Sequence, residues 1–290
     1  MPSSRRVLLA GLAAMSAAAL TGCRPAGPDT PAQAAPAPPS PAPLPSPSAV
    51  PPPSGGTRAD VVTRYGQAVP TSWGFDAPGV VNRLTTAAGR AIALTFDACG
   101  GPQGNDYDAA LVGLLREHGA PATLFLNSRW IEANPQVFRQ LAADPLFEIA
   151  NHGTAHRPLS VTGLSAYGID GTRDAGEVYD EIAGNRAGLT ELLGHPPRFF
   201  RSGTAYLDDV AARIVTDLGE RFAGFTVNGD GGATFTAEQV HQTVTAAGPG
   251  AIVLAHLNHP AAGTARGMAT AIPRLLGDGY HFVRLSDGAP

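Results

Sequence analysis

The 290-residue sequence contains no lysine, so all 20 of its basic side chains are arginines. It also lacks any run of basic residues, and its 24 acidic residues give a formal net charge of −4. A mildly acidic chain without a basic patch lacks the electrostatic footprint of a nucleic-acid-binding protein. We therefore expect no nucleic-acid partner.

The sequence signatures of several common enzyme classes are also missing. It has no GxxxxGK[ST] phosphate-binding loop, no GxGxxG dinucleotide fingerprint and no GxSxG nucleophile elbow. These absences argue against a nucleotide-binding enzyme and against a serine hydrolase of the α/β type.

Cysteine is scarce, and one of the two cysteines directly follows an amino-terminal signal. Residues 1–22 begin with a pair of arginines, continue through a stretch of small apolar residues and end at Leu-Thr-Gly before Cys23. The paired arginines resemble a twin-arginine leader, and Leu-Thr-Gly-Cys resembles a lipobox, in which the cysteine sulfur is lipidated. The apolar stretch is short and interrupted by glycine, which disfavours a membrane span.

We expect an exported lipoprotein, anchored in the cell membrane through Cys23 and facing the periplasm or the extracellular side. The alternative is a cleaved secretory signal with an unlipidated Cys23. If Cys23 carries lipid, Cys99 is the only thiol left, so an internal disulfide is excluded.

Proline separates this signal from the rest of the chain. Between Arg24 and Gly56 lie 13 of the 27 prolines, and such a segment forms an extended tether rather than a packed core. The sequence therefore predicts a signal at 1–22, a lipidated cysteine and proline-rich linker at 23–56, and one domain at 57–290. That domain is large enough to bury a substantial core, and we expect it to be monomeric.

From Ala91 onward, short apolar runs alternate with helical patterns. The predicted strands are 91–96, 122–127, 146–151, 198–202, 221–227, 251–257 and 281–285, and the predicted helices are 106–118, 135–143, 173–193, 207–218, 237–247 and 265–276. Repeated βα units require a parallel sheet with right-handed crossovers. Seven strands over this length predict an α/β fold with a closed or nearly closed barrel, and the less regular residues 57–90 are expected to lie across it.

Titratable or cationic side chains follow or end five of these strands. They are Asp97, the pair His152 and His156, Arg201, Asp230 and His256. Because the carboxyl ends of parallel strands meet at one rim, we expect these residues to form one site.

The two histidines are four residues apart, so one helical turn or a tight loop would let both imidazoles reach the same cation. The alternative is an unliganded pair on a polar face. Asp97 is expected in a cleft with Arg201 as its partner, either as an oriented base or as part of a structural ion pair. His256 is suited to donate a proton, and Asp230 either orients its ring or belongs to the glycine-rich turn at 228–232.

Four ordered motifs carry a family resemblance that covers roughly residues 90–290. Thr95-Phe96-Asp97, the segment Asn151–Pro158, the segment Phe200–Tyr206 and the segment Ile252–His256 resemble the polysaccharide deacetylases of carbohydrate esterase family 4. The resemblance implies a distorted (β/α)7 barrel and a divalent cation, usually zinc, held by one aspartate and two histidines. It also implies hydrolysis of N-acetyl groups on a polysaccharide such as peptidoglycan or a chitin-like glycan.

Carried over by motif position, Asp97 would be the general base and Arg201 its partner. His152 and His156 would be metal ligands, and His256 would be the general acid.

One position departs from the family pattern. The second of two adjacent aspartates, the family's carboxylate ligand, falls on Ala98, whose methyl group cannot bind a cation. Cys99 could supply a thiolate, Asp106 or Asp108 could turn inward, or the site could hold metal poorly. For Cys99 the favoured interpretation is a small buried hydrophobic residue. The functional alternatives are therefore a carbohydrate-binding protein without activity and a deacylase for another acyl group.

Overall fold

The computed structural model describes residues 56–85 and 89–290. The predicted export signal at 1–22 and the linker at 23–56, with Cys23, lie outside the described residues apart from Gly56. Within these two ranges, no helix is both long and apolar enough to cross a membrane.

The described residues form a curved parallel sheet with helices packed against it. The helices are α1 (Arg58–Tyr65), α2 (Ala109–Glu117), α3 (Ser128–Ala133), α4 (Pro135–Ala142), α5 (Ala175–Leu193), α6 (Asp209–Asp217), α7 (Ala237–Thr245), α8 (Thr264–Gly277) and α9 (Leu285–Gly288). The strands are β1 (Trp73–Gly74), β2 (Ala91–Ala98), β3 (Ala122–Leu126), β4 (Phe147–Asn151), β5 (Phe199–Phe200), β6 (Leu207–Asp208), β7 (Arg221–Phe222), β8 (Val227–Asn228), β9 (Ile252–His256) and β10 (His281–Phe282).

The parallel sheet has the strand order β7-β5-β4-β3-β2-β9-β8, and β10 pairs with the start of β2. Strands β1 and β6 form a separate antiparallel pair. The alternation of parallel strands and helices confirms the predicted α/β fold, a distorted (β/α)7 barrel.

The gap between β7 and β8 is bridged by a segment that precedes the first barrel strand. The Val81 N–H donates to the Phe222 carbonyl at 2.9 Å, and the Leu84 N–H donates to the Gly250 carbonyl at 2.9 Å. Residues 81–84 therefore connect the edge strand β7 with the residues just before β9, the neighbour of the other edge strand β8, which gives part of the irregular segment 57–90 a structural role.

This bridging segment explains one wrong prediction. The apolar run 221–227 was expected to be a single strand, but the structure divides it into β7 and β8. Between them, the Gly224 N–H donates to the Val81 carbonyl at 3.0 Å, so the chain pairs there with residues 81–84 instead of with a sheet neighbour.

Strand β2 alternates between two cores. All eight of its residues are buried. Ala91 and Ala93 pack inside the barrel with Phe125, whereas Phe96 and Ala98 belong to the apolar layer under the surrounding helices. Because successive side chains of a strand point to opposite faces, Asp97 points toward the barrel interior.

Candidate active site

The strand ends bring the predicted site residues to one rim of the barrel. Asp97 lies near the end of β2, His256 ends β9, and the two residues are register partners across the parallel pair. His152 follows β4 and Arg201 follows β5, and these strands pair through Asn151 and Phe200. The shared rim follows from the parallel sheet, in which every strand delivers its carboxyl end to the same side.

Asp97 and Arg201 form a buried ion pair. The Arg201 Nη1 donates to Asp97 Oδ1 at 2.8 Å and to Thr95 Oγ1 at 3.0 Å. The Arg201 side chain has no exposed surface, and its other N–H groups donate to the carbonyls of Ala223 and Gly224. These four hydrogen bonds hold the guanidinium in place, and its bond to Asp97 holds that carboxylate in one orientation.

The His152 ring is fixed in one tautomer by its surroundings. Its Nδ1 lies 2.9 Å from the Arg201 carbonyl, which can only accept, so Nδ1 carries the proton. The lone pair of Nε2 then faces Cys99 Sγ at 3.8 Å and Asp97 Oδ2 at 3.7 Å. Burial alone would lower the pKa of His152, but the Asp97 carboxylate raises it, which marks a position that favours positive charge.

His156 lies on a loop after β4 rather than on a helix. It adopts a left-handed backbone conformation with φ 62°, and its ring centroid lies 5.0 Å from that of His152. Its Nε2 is buried without a hydrogen-bond partner in the part of the chain that the structure describes. A buried nitrogen in this state is costly unless it binds a ligand.

Glu181 of α5 fixes the backbone of the loop that carries His156. Its carboxylate accepts hydrogen bonds from the N–H groups of Ala155 at 2.9 Å and Arg157 at 3.2 Å. Burial raises the pKa of Glu181, although these hydrogen bonds oppose the rise. Glu181 is 26 residues from Ala155 in sequence, so no local motif indicates this contact.

Cys99 lies among the histidines instead of in the apolar core. It is half-buried, and its Sγ, one nitrogen of His152 and one nitrogen of His156 all lie within 4.8 Å of one another. Burial opposes ionisation, but the nearby His156 and the contact with His152 Nε2 lower the pKa of Cys99 well below its usual value. The favoured interpretation of Cys99 as a small buried hydrophobic residue is therefore wrong. The strand alternation that places Asp97 inward also places Cys99 inward, and it could have indicated that Cys99 lies beside the histidines.

Asp108 does not turn into the site. Its Oδ1 accepts a hydrogen bond from the Leu111 N–H at 2.9 Å and so caps the start of α2. The structure therefore does not support Asp108 as a replacement for the missing carboxylate ligand. Asp106 is absent from the cluster of histidines and Cys99 as well.

His256 and Asp230 form the second half of the site. The His256 Nδ1 lies 3.0 Å from Asp230 Oδ1, and the His256 backbone N–H donates to Asp230 Oδ2 at 2.7 Å. Burial alone would raise the pKa of Asp230, but these bonds and that from Thr264 lower it, so the carboxylate is ionised. An ionised carboxylate only accepts, so Nδ1 carries a proton and Nε2 is left to exchange one. Asp230 raises the pKa of His256 well above its usual value despite burial.

An aromatic-walled cleft of about 460 Å³ opens beside Asp97 and His256. The ring centroid of Tyr206 lies 4.2 Å from that of Phe75 and 5.5 Å from that of Tyr167. Tyr167 is 74% exposed at the mouth of the cleft. Sequence reasoning missed Phe75, because an aromatic residue in an irregular segment carries no sign of its distant partners.

The donor set fits the divalent cation that the family resemblance implies. Two imidazole nitrogens are available, one oriented by a carbonyl behind it and one buried without a partner. A histidine whose second nitrogen is hydrogen-bonded in this way is the usual arrangement at metal sites. The thiol of Cys99 is within reach of both rings.

Comparisons with known proteins bear on the family of the chain. Residues 85–223 match the sequence profile of the polysaccharide deacetylase domain. An uncharacterised Streptomyces coelicolor protein, SCO4760, is 30% identical over 206 residues, which cover 69% of this chain and 71% of that protein. The YlxY protein of Bacillus subtilis is 33% identical over 73 residues, but these are only 24% of this chain and 23% of YlxY.

Solved structures share the fold. BA3943 of Bacillus anthracis, described as a pseudoenzyme of carbohydrate esterase family 4, aligns with a TM-score of 0.61 at 22% identity, covering 73% of this chain and 69% of that chain. The Bc1960 peptidoglycan N-acetylglucosamine deacetylase aligns with a TM-score of 0.61 at 20% identity, covering 80% of this chain and 96% of that chain. With the profile match and the SCO4760 relationship, these findings show that the chain belongs to the polysaccharide deacetylase family, carbohydrate esterase family 4.

Proposed function

We propose that the protein is a metal-dependent hydrolase that removes N-acetyl groups from amino-sugar residues of a cell-wall or extracellular polysaccharide. The observation that carries the proposal is the pairing of Asp97 with His256 across β2 and β9 at one cleft, beside two histidines with free nitrogens. A base, an opposing acid and cation ligands at one rim are what hydrolysis of an unactivated amide requires.

The residues that would hold the cation, expected to be zinc, are His152 and His156, with the Cys99 thiol beside them. A bound divalent cation would supply Lewis-acid polarisation of the acetyl carbonyl and acidify a nearby water.

Asp97 would accept the proton of the attacking water. Its Oδ1 is occupied by Arg201, so Oδ2, which points toward His152, is the oxygen left for the proton. Arg201 fixes the carboxylate at the point where the proton must be taken. Asp97 is only 3% exposed, which limits competition from bulk water.

His256 would deliver a proton to the leaving amine, which would otherwise depart as an unstable amide anion. Its Nδ1 is held by Asp230, and the interaction keeps the ring protonated for this step. Thr264 donates to the same aspartate at 3.0 Å and so fixes the carboxylate behind the ring.

The cleft supports a sugar substrate. The aromatic rings of Phe75, Tyr167 and Phe225 line the cleft, and their flat apolar faces suit stacking against a pyranose ring. The structural similarity to a peptidoglycan N-acetylglucosamine deacetylase makes peptidoglycan and chitin-like glycans the first substrates to test.

A second candidate function is binding of a glycan without turnover. It is favoured by Ala98, which stands where the family has a carboxylate ligand, and by the similarity to BA3943, a pseudoenzyme for which a variant with restored activity is described. A third candidate is a hydrolase of the same mechanism acting on another acyl group, such as an ester or a formyl substituent.

Acetate release separates these functions. The purified chain would be incubated with acetylated chitin oligosaccharides and peptidoglycan fragments after chelation, and again after addition of Zn²⁺ or Co²⁺. We expect metal-dependent acetate release. Glycan binding without release under either metal would contradict the hydrolase and support the binding function, and release only from ester or formyl substrates would support the third candidate.

We also propose that Cys23 anchors the exported protein in the membrane. Fractionation of cells expressing the full chain should recover it with membranes, and Cys23→Ser should move it to the soluble fraction, because one thioether-linked lipid group is lost. Cys99→Ser provides the control and should remain with membranes.

A further inference from the structure

The position of Cys99 is determined by the alternation of β2. Thr95 donates its hydroxyl to the Val253 carbonyl at 2.7 Å, and Asp97 points toward the site. Ala98, the next residue, points the other way: it belongs to the apolar core beneath the helices and has no exposed surface. Cys99, one residue further, therefore returns to the inner face, where its Sγ lies 3.8 Å from His152 Nε2.

The backbone fixes the thiol in this position. Gly100 follows with a left-handed φ of 68°, and a Cβ on it would lie 2.6 Å from the Trp130 backbone nitrogen. The Arg129 Nη2 donates to the Cys99 carbonyl at 3.3 Å. Only glycine fits this close turn, so the chain leaves β2 in a conformation that keeps Cys99 beside the histidines.

The two imidazoles around the thiol are prepared for a shared ligand. His152 carries its proton on Nδ1, so its Nε2 presents a lone pair, and the buried Nε2 of His156 has no hydrogen-bond partner within the described ranges. The three donor atoms lie within 4.8 Å of one another, so small side-chain movements would bring them to the separations of about 3.3–3.7 Å that a tetrahedral zinc ion requires. Two imidazoles alone bind zinc weakly, so a third protein donor is needed, and a thiolate is one of the ligands that zinc prefers.

We propose that Cys99 is the third protein ligand of the metal, a thiolate that takes over the role of the carboxylate missing at position 98. The inference rests on the proposed metal-dependent function and specifies the chemistry of its site. A Cys-His-His set is softer than an Asp-His-His set, so the site should select thiophilic cations such as Zn²⁺ and Cd²⁺ over Mg²⁺ and Mn²⁺.

Cobalt substitution tests the ligand directly. The full chain would be freed of metal by chelation and titrated with Co²⁺ under reducing, oxygen-free conditions. A thiolate ligand gives a near-ultraviolet sulfur-to-cobalt charge-transfer band, which imidazole and carboxylate ligands do not give. We expect the band to saturate at one equivalent of Co²⁺ and to persist in Cys23→Ser, which removes the only other thiol.

Two substitutions at position 99 complete the test. Because even partners of a metal ligand contribute about 10–100-fold to affinity, Cys99→Ser should lose the band and weaken Zn²⁺ binding by at least about 100-fold. Cys99→Asp should also lack the band but should bind Zn²⁺ more tightly than Cys99→Ser, because it restores an anionic donor. Circular dichroism would establish that both variants fold.

The outcomes separate this inference from the proposed function. One equivalent of bound Co²⁺ without the band, or unchanged Zn²⁺ affinity in Cys99→Ser, would overturn the role of Cys99 and leave a metal-dependent enzyme standing. A band with no acetate release from any glycan would uphold the ligand and contradict only the hydrolase. Failure of the full chain to bind metal would overturn both.

Discussion

The buried guanidinium of Arg201 makes Asp97 difficult to replace. The Arg201 side chain has no exposed surface, and removal of one partner of a buried ion pair lowers the free energy of unfolding by about 3–5 kcal/mol. We expect Asp97→Asn to lower kcat by about 10²–10⁴-fold, because the amide cannot accept the proton, and also to lower the free energy of unfolding. Acetate release and urea denaturation measure the two effects.

The exposed Asp170 provides the control. Asp170→Asn should leave both activity and stability nearly unchanged, since surface substitutions usually stay within about 0.5 kcal/mol. An Asp97→Asn variant with full activity would show that another group takes the proton.

At the residue level, much of the site could be predicted from the sequence. Asp97, His152, Arg201 and His256 each end or follow an apolar run, and a parallel sheet leaves only one rim for them. Cys99 was assigned to the core because its type is usually buried. Only the alternation of side chains along β2, counted from the inward-pointing Asp97, indicates that the Cys99 side chain also points inward.

At the level of elements, α5 controls the shape of the histidine loop. Gly153 has a left-handed φ of 75°, and a Cβ at this position would clash with the Glu181 carboxylate. We expect Glu181→Gln to weaken Zn²⁺ affinity by about 10–100-fold, because the loop N–H groups would face an amide that offers one acceptor oxygen instead of two. Competition with a chromophoric chelator measures this affinity.

Glu191 lies on the same helix but is exposed, so Glu191→Gln is the matched control and should bind Zn²⁺ as the unmodified chain does. Equal Zn²⁺ affinity in the Glu181 and Glu191 variants would show that the loop holds its shape without the Glu181 carboxylate.

A second carboxylate, Glu220 before β7, gives the fold a pH dependence. Its Oε1 accepts a hydrogen bond from Asn151 at 3.1 Å, and burial raises the pKa of Glu220 from 4.5 to about 8 although Asn151 and Arg186 oppose the rise. Between these values the folded chain keeps a proton that the unfolded chain has lost. Stability from this group therefore falls as pH rises from about 4.5 through 8.

Glu220→Gln removes this titration while retaining an acceptor for Asn151. We expect the variant to match the unmodified chain near pH 5 and to exceed its free energy of unfolding by about 2–4 kcal/mol near pH 9. Urea denaturation across this range makes the comparison, with Glu117→Gln on the exposed face of α2 as control. Parallel stability curves for the Glu220 variant and the unmodified chain would contradict a raised pKa for Glu220.

Element boundaries were harder to predict than element types. No predicted element covers α3, although Asn127 accepts a hydrogen bond from the Arg129 N–H at its start and Pro135 begins the next helix. Strand 198–202 shrinks to β5 because only two of its residues find strand partners: Phe200 pairs with both β4 and β7, and Phe199 pairs with β7 alone. Periodicity records which residues are buried, whereas strand length depends on neighbours that are distant in sequence.

At the scale of the whole molecule, the proposed metal site connects two parts of the barrel. Cys99 follows β2 and His152 follows β4, 53 residues later in the chain. A cation that binds only this folded arrangement must stabilise the entire domain, by about 2.7 kcal/mol when its free concentration is 100 times Kd. For a domain of this size we expect Zn²⁺ to raise Tm by roughly 5–10 °C.

Calorimetry of the full chain with and without Zn²⁺, followed by chelation to reverse the shift, measures this stabilisation. His152→Ala should abolish the rise in Tm, because the buried ring is the donor that both Asp97 and Cys99 face. His195→Ala removes an exposed imidazole and should retain the full rise. An equal Zn²⁺ effect in both variants would place the stabilising cation elsewhere on the protein, and with it the chemistry proposed for this rim.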